Sequence, residues 1–417
     1  MEFTTLGAFV GLVIAIVLII KKVHPAYSLI LGALIGGLVG GGGLVGTVDT
    51  MVAGAQSMMS SVLRILTSGI LAGALIKTGS AEKIADVIVQ KLGHKYALVS
   101  VAVATMIICA VGVFIDISVI TVAPIAMAIA KKADFNKPSI LLAMIGGGKA
   151  GNIISPNPNT IATSEAFGVD LTALMIRNIV PALLALVVAI LLATLLSKKK
   201  NSVMVNASDL EKNEEKKLPA FWAAIAGPIV VILLLALRPL CSITIDPLIA
   251  LPVGGLVCML ACGSIKNVIA YTEFGLSKVT GVSILLVGTG TLAGIIKASA
   301  IQTDIISVLN MAHLPSFLLA PIAGILLAGA TASTTAGATI ASQTFASTLT
   351  ASGVSALGAG AMIHAGSTVI DSLPHGSFFH ATGGSVNMEI KDRMKLIPYE
   401  ALVGLSSTLV SCIIYLL

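Results

Sequence analysis

Apolar residues in this chain fall into long blocks, of the length of membrane spans rather than of the short amphipathic stretches of a soluble fold. A helix crosses the hydrocarbon core with about 20 apolar residues. On that ruler the first half predicts helices near 6–20, 27–46 and 57–76, an interrupted helix over 138–167 and a closing helix over 171–197. The second half predicts helices near 219–237, 247–263 and 278–298, an interrupted helix over 356–386 and a last helix over 396–416. Two further apolar stretches, 96–130 and 314–348, are too long for one span and too short for two, and each reads as a re-entrant hairpin. The first turns around Gly112-Val113-Phe114-Ile115-Asp116-Ile117-Ser118, the second around Thr331-Ala332-Ser333-Thr334-Thr335-Ala336-Gly337.

Within 138–167 the run Gly146-Gly147-Gly148-Lys149-Ala150-Gly151-Asn152-Ile153-Ile154-Ser155-Pro156-Asn157-Pro158-Asn159-Thr160 does not suit a continuous helix. Backbone groups freed in hydrocarbon are tolerated only where they are buried in protein or line a wet cavity. Broken helices of this kind form the solute sites of secondary transporters, so the run is expected to supply half of such a site.

The two halves follow one plan. Ala74-Leu75-Ile76-Lys77 resembles Gly294-Ile295-Ile296-Lys297, and Pro158 and Pro181 recur at near-constant spacing as Pro374 and Pro398, which implies a duplication. Residues 1–197 form the first repeat and 219–417 the second. The charged segment 198–218 between them reads as a solvated linker on the cytoplasmic side.

Composition fits a polytopic membrane protein: 56% of residues are hydrophobic and 11% charged, where soluble domains hold about a quarter charged residues. The net charge of +6 does not point to nucleic acid, because 20 of the 25 lysines and arginines fall on one side of the predicted spans. That asymmetry makes this side cytoplasmic and puts both termini outside. Five spans per half is an odd number, so the repeats are inverted. The fold class is thus an all-α polytopic membrane protein with about ten transmembrane helices, two re-entrant hairpins and two broken helices. Glu82, Lys83, Asp86 and Lys91 suit an amphipathic helix on the cytoplasmic surface. The five cysteines show neither a disulfide nor a zinc pattern and read as buried filler. No metal-ligand cluster or phosphate-binding loop supports an enzyme, and no cofactor is expected.

Half-helix amino termini near the midplane present unpaired N–H groups and a positive dipole end, a setting that favours an anion. The candidate binding residues are Lys149, Asn152, Ser155, Asn157, Asn159 and Thr160 in the first half. In the second they are Ser333, Thr334, Ser367, Thr368, Asp371, Ser372, His375, Gly376 and Ser377. Lys149 is costly at a helix centre and needs water or a partner; it either attracts a carboxylate or pairs with Asp116 or Asp371. Asp116, at the first hairpin turn, and His375 are the candidates for proton coupling. His364 and His380 are further titratable residues of the same region, and Arg64 and Arg177 read as structural or interfacial.

Several of these stretches resemble the gluconate permease (GntP) family of the ion transporter superfamily. They are Phe114-Ile115-Asp116-Ile117 followed by Pro124, Ser155-Pro156-Asn157-Pro158-Asn159-Thr160-Ile161-Ala162, and Ala365-Gly366-Ser367-Thr368-Val369 through Phe378-Phe379. The hairpin and repeat arrangement extends the resemblance over the whole chain. Where that family has a Pro-His-Pro-Gly run, this chain has Pro156-Asn157-Pro158-Asn159; where it has an Asn-Asp pair, Pro374-His375 stand. The resemblance implies proton-coupled uptake of a small hydroxylated carboxylate across a bacterial-type inner membrane, a homodimer, and an elevator motion of a hairpin-bearing domain. Sodium-coupled carboxylate transport, a sodium/proton antiporter and a channel remain the alternatives.

Overall fold

The computed structural model describes residues 3–92, 96–199, 203–206, 217–241, 243–301, 303–304, 307, 311, 315–374 and 376–417. These residues form α-helices and two short 3-10 turns, with β-structure limited to two isolated bridges. Four helical stretches, Met59–Lys77, Ile179–Ser197, Ile265–Lys297 and Ile390–Leu416, are long and apolar enough to cross a membrane, and shorter apolar helices accompany them.

One group of helices packs through glycine. α1 (Thr5–Ile20) and α2 (Pro25–Val39) run antiparallel, with Gly7 and Gly11 against Gly36 and Gly32. α3 (Gly43–Gln56) and α4 (Met59–Lys77) follow as a kinked rod. α12 (Phe221–Cys241) and α13 (Pro247–Ala261) pair as α1 and α2 do, with Gly227 against Gly254. The rod α3–α4 lies antiparallel along α14 (Val268–Lys297). Gly54 meets the backbone of Gly290 and Gly294, while Gly275 meets Gly69 and Gly73. α5 (Ser80–Leu92) buries Ile84, Ala85 and Val89 and leaves its charged residues on the other faces.

The second group holds the hairpins and broken helices. α6 (Ala97–Ala110) and α7 (Ile115–Lys132) form the first hairpin; α8 (Lys137–Asn152) and α9 (Pro158–Phe167) form the first broken helix, followed by α10 (Leu171–Arg177) and α11 (Ile179–Ser197). Their counterparts are the hairpin α15 (Leu319–Thr331) and α16 (Thr334–Ala351), the broken helix α17 (Ala356–Gly366) and α18 (Ser377–Gly384), then α19 (Ile390–Met394) and α20 (Ile397–Leu416). The packing crosses between halves: α16 lies on α9, and α7 lies on α18.

Five expectations change. Helix 27–46 ends at Val39, because Gly41 and Gly43 adopt positive φ of 90° and 62° and turn the chain into the separate α3. The span expected at 278–298 starts at Val268, so Lys278 lies inside a helix, where its ammonium and that of Lys77 sit over the Phe274 ring. The closing helix 171–197 divides at Asn178. The run from Gly146 stays helical to Asn152. Its glycines serve close packing instead of breakage: a Cβ on Gly147 would lie 2.0 Å from the Ala102 carbonyl oxygen, and one on Gly151 would lie 2.2 Å from that of Met106. Part of the linker is also docked, since Val205 is buried and Val203 accepts a hydrogen bond from the Lys137 N–H.

Candidate solute site

The first break spans 153–157 and organises itself locally. Asn157 is the N-cap of α9, and its Oδ1 accepts from the N–H groups of Asn159 (3.0 Å) and Thr160 (3.1 Å). Pro158 follows at the first helical position, where its missing N–H costs nothing. The Asn157 amide donates to Asn152 Oδ1 (2.7 Å) and to the Asn152 carbonyl (2.9 Å), and Asn159 Nδ2 donates to the same Oδ1 (3.0 Å). Thr160 Oγ1 donates to the Ser155 carbonyl at 2.6 Å. Asn178, which the sequence reading passed over, donates to the Ile153 carbonyl from the gap between α10 and α11.

The second break is held by residues distant in sequence. Lys149 Nζ, on the last turn of α8, donates to Asp371 Oδ1 at 2.6 Å and to the carbonyls of Thr368 and Glu400. Thr334 Oγ1, on the first turn of α16, donates to Asp371 Oδ2 at 2.5 Å, and Ser372 Oγ donates to Oδ1 at 3.1 Å. All four side chains are buried. Of the two pairings open to Lys149, the structure takes Asp371, and the amine is occupied by protein rather than free for a solute. α18 begins at Gly376 with no side-chain cap. Gly376 instead packs against the hairpin tip, where a Cβ would lie 2.4 Å from the carbonyl oxygen of Ala332, itself at φ 48°. Ser333 caps α16 by accepting from the Ala336 N–H, and Ser377 is exposed at the start of α18, outside both networks. His375 lies outside the described residues.

Lys149 and Asn152 stand three residues apart on α8, so the two networks share one helix end. Several buried polar atoms of the broken helices and of α16 have no partner among the described residues: Asn152 Nδ2, Ser155 Oγ, Thr339 Oγ1 and both ring nitrogens of His364. Each such group forfeits about 1–3 kcal/mol of hydrogen bonding. Sequence had no signal for Thr339, one threonine among many on α16. Asp116 is half-buried in the first turn of α7.

Two more ionic contacts flank the site. Arg393 pairs with Glu400 in full burial, stacks on Phe379 and donates to Thr382 of α18. On α4, Arg64 grips Asp246 through two hydrogen bonds (2.9 and 2.6 Å) and reaches Glu165 of α9 at 2.6 Å, beside a cavity of about 90 Å³. The Arg64 hydrogen bonds hold the Asp246 carboxyl below its ordinary pKa range. A larger cavity of about 420 Å³ opens between α3, α9, α14 and α16, lined by Thr50, Ser57, Lys297, Gln343 and Ser347.

Comparison with known proteins agrees with this architecture. The family model described as GntP family permease matches residues 3–417. An uncharacterised transporter of Haemophilus influenzae is 53% identical over 412 residues, 99% of this chain and 98% of its own. The D-serine transporter DsdX of Escherichia coli K12 is 21% identical over 78% of each chain. The high-affinity gluconate transporter of E. coli K12 is 24% identical over 53% of this chain and 50% of its own. Among solved structures, the YdaH transporter of Alcanivorax borkumensis aligns with a TM-score of 0.68 at 14% identity, covering 89% of this chain and 87% of that one; at this identity the likeness concerns the fold alone.

Proposed function

The chain belongs to the GntP family of permeases, a family of membrane transporters and not of enzymes, and from that membership we propose secondary active transport of a small organic anion, a hydroxy acid or sugar acid, in symport with a proton. The observation that supports the solute site most directly is the pair of unpartnered donors, Asn152 Nδ2 and Ser155 Oγ, buried where the two breaks meet. Neutral donors without partners suit a carboxylate entering a water-poor site. Lys149 and Asp371 then form a fixed, internally neutralised platform that holds the breaks and the second hairpin in register. The names of two relatives, a gluconate and a D-serine transporter, point to solutes that carry a carboxylate and a hydroxyl, the second with an ammonium as well.

The glycine contacts support inverted repeats. Gly54, Gly69 and Gly73 precede Gly275, Gly290 and Gly294 by one common interval, and Gly54 meets the second pair as Gly275 meets the first. In this reading the hairpins and broken helices move as an elevator against the rod α3–α4 and α14. Asp116, in the first turn of α7, takes the proton; the molecule is a homodimer of the inner membrane, with both termini outside. The test is reconstitution of the full chain in proteoliposomes, after a thermal-shift panel of D-gluconate, D-glycerate, L-lactate and D-serine. An acid that stabilises the protein should accumulate under an imposed pH gradient without sodium, and Asp116→Asn should abolish accumulation while sparing exchange. Uptake that requires sodium, or flux indifferent to every organic acid, would contradict the reading.

A further inference from the structure

His364, on the last turn of α17, takes no part in the contacts that hold the breaks. It is fully buried, and neither ring nitrogen meets a partner among the described residues. A neutral imidazole has one N–H to donate and one nitrogen to accept, so both capacities stand unmet. The helices packed against α17 offer it no counter-ion. α15 and α16 contain no charged side chain. On α9, Glu165 is engaged by Arg64; on α10, Arg177 donates to the Ile414 carbonyl; on α20, Glu400 is paired with Arg393.

Thr339 of α16 shares this condition, being fully buried with an unpartnered hydroxyl. Both residues lie one helical turn from a contact with the same residue of α9. A Cβ on Gly360 would lie 3.3 Å from the Thr163 side chain, and His364 stands one turn beyond Gly360; Ser342 Oγ donates to Thr163 Oγ1 at 3.2 Å, and Thr339 stands one turn before Ser342. α17 runs toward its break and α9 away from its own. Both steps therefore lead to the first turn of α9, where Asn159 and Thr160 border the site.

We propose that His364 and Thr339 are the specificity-determining pair that reads a hydroxyl of the transported acid: the imidazole N–H donates to the hydroxyl oxygen, and that hydroxyl's proton is donated to Thr339 Oγ1. One solute hydroxyl thus meets one unused donor and one unused acceptor, while the carboxylate lies at Asn152 and Ser155. This rests on the organic-anion reading above. A site built to hydrogen-bond a hydroxyl discriminates strongly against the analogue that lacks it.

Binding of D-gluconate and D-glycerate, and of their hydroxyl-free counterparts hexanoate and propionate, should be measured on the purified full chain. The wild type is expected to prefer the hydroxylated acid of a pair. Thr339→Val and His364→Leu should lower that preference by about tenfold or more without lowering the ligand-free Tm, since neither side chain has a hydrogen-bond partner among the described residues. Thr339→Val, the nearly isosteric change, decides the matter should His364→Leu fail to fold. Retention of the wild-type preference in Thr339→Val overturns the proposal. So does a His364→Leu protein that keeps the preference but no longer accumulates solute under a pH gradient, which would make His364 a proton site. A wild type that binds all four acids without preference overturns this pair alone; one that binds no organic acid overturns the organic-anion reading with it.

Discussion

The two helix breaks solve one problem by different means. At 153–157 the chain satisfies its freed groups largely from nearby: Asn157 caps α9, Asn152 collects two amide donors, and Asn178 adds one bond from later in the same half. At 367–376 the chain borrows. Asp371 is held by Lys149 from the other half and by Thr334 from a hairpin, and the start of α18 is covered by the tip residue Ala332 rather than capped. A break built from neighbours is neutral and rigid, whereas a break built from distant partners depends on those partners staying in place. The second break is consequently the one tied directly to a hairpin tip, through Thr334 and Ala332.

The largest expected effect separates these two constructions. Lys149→Met or Asp371→Leu leaves one buried charge without its partner, which costs about 3–5 kcal/mol; thermal unfolding of the purified protein should show the loss, and the double variant should recover much of it. Equal, additive losses would mean that the pair does not act as a unit. Asn157→Ala should be milder, about 0.5–2 kcal/mol for a lost N-cap, and no change at a second site should rescue it, because its partners are its own neighbours. The smallest effect concerns the outer clasp. Asp246 titrates below its ordinary range in the folded protein, so its contribution is present at neutral pH, where the group is ionised in both states, and is lost as pH falls through the depressed folded value. Arg64→Gln should therefore lower stability by less than about 1 kcal/mol at neutral pH, with the difference from wild type vanishing in acid.

The same contrast explains what could be read in advance. Hairpins at 96–130 and 314–348 and breaks within 138–167 and 356–386 follow from apolar length and local residue type, and the structure has helix pairs in each of those ranges. The sequence reading assigned Asn157 to solute binding, whereas in the structure it caps α9 through N–H groups two and three residues ahead of it. Glycine misled, since the same residue serves a turn at Gly41 and Gly43 and a close helix contact at Gly147 and Gly151, and only the neighbouring helix decides which. The choice of Asp371 over Asp116 for Lys149 depends on packing between distant segments, as does the lack of partners for His364 and Thr339 among the described residues, and local pattern does not encode either.

The central claim, that the solute anion binds at the unpartnered donors between the breaks, is tested most directly through Ser155. Its hydroxyl is buried and without a partner among the described residues, so Ser155→Ala should remove a solute contact at little structural cost. In counterflow across proteoliposomes with the acid that stabilises the wild type, Ser155→Ala should raise KM by about tenfold, the loss of one hydrogen bond to a charged group, with Vmax and Tm little changed. A KM equal to that of the wild type would place the solute elsewhere.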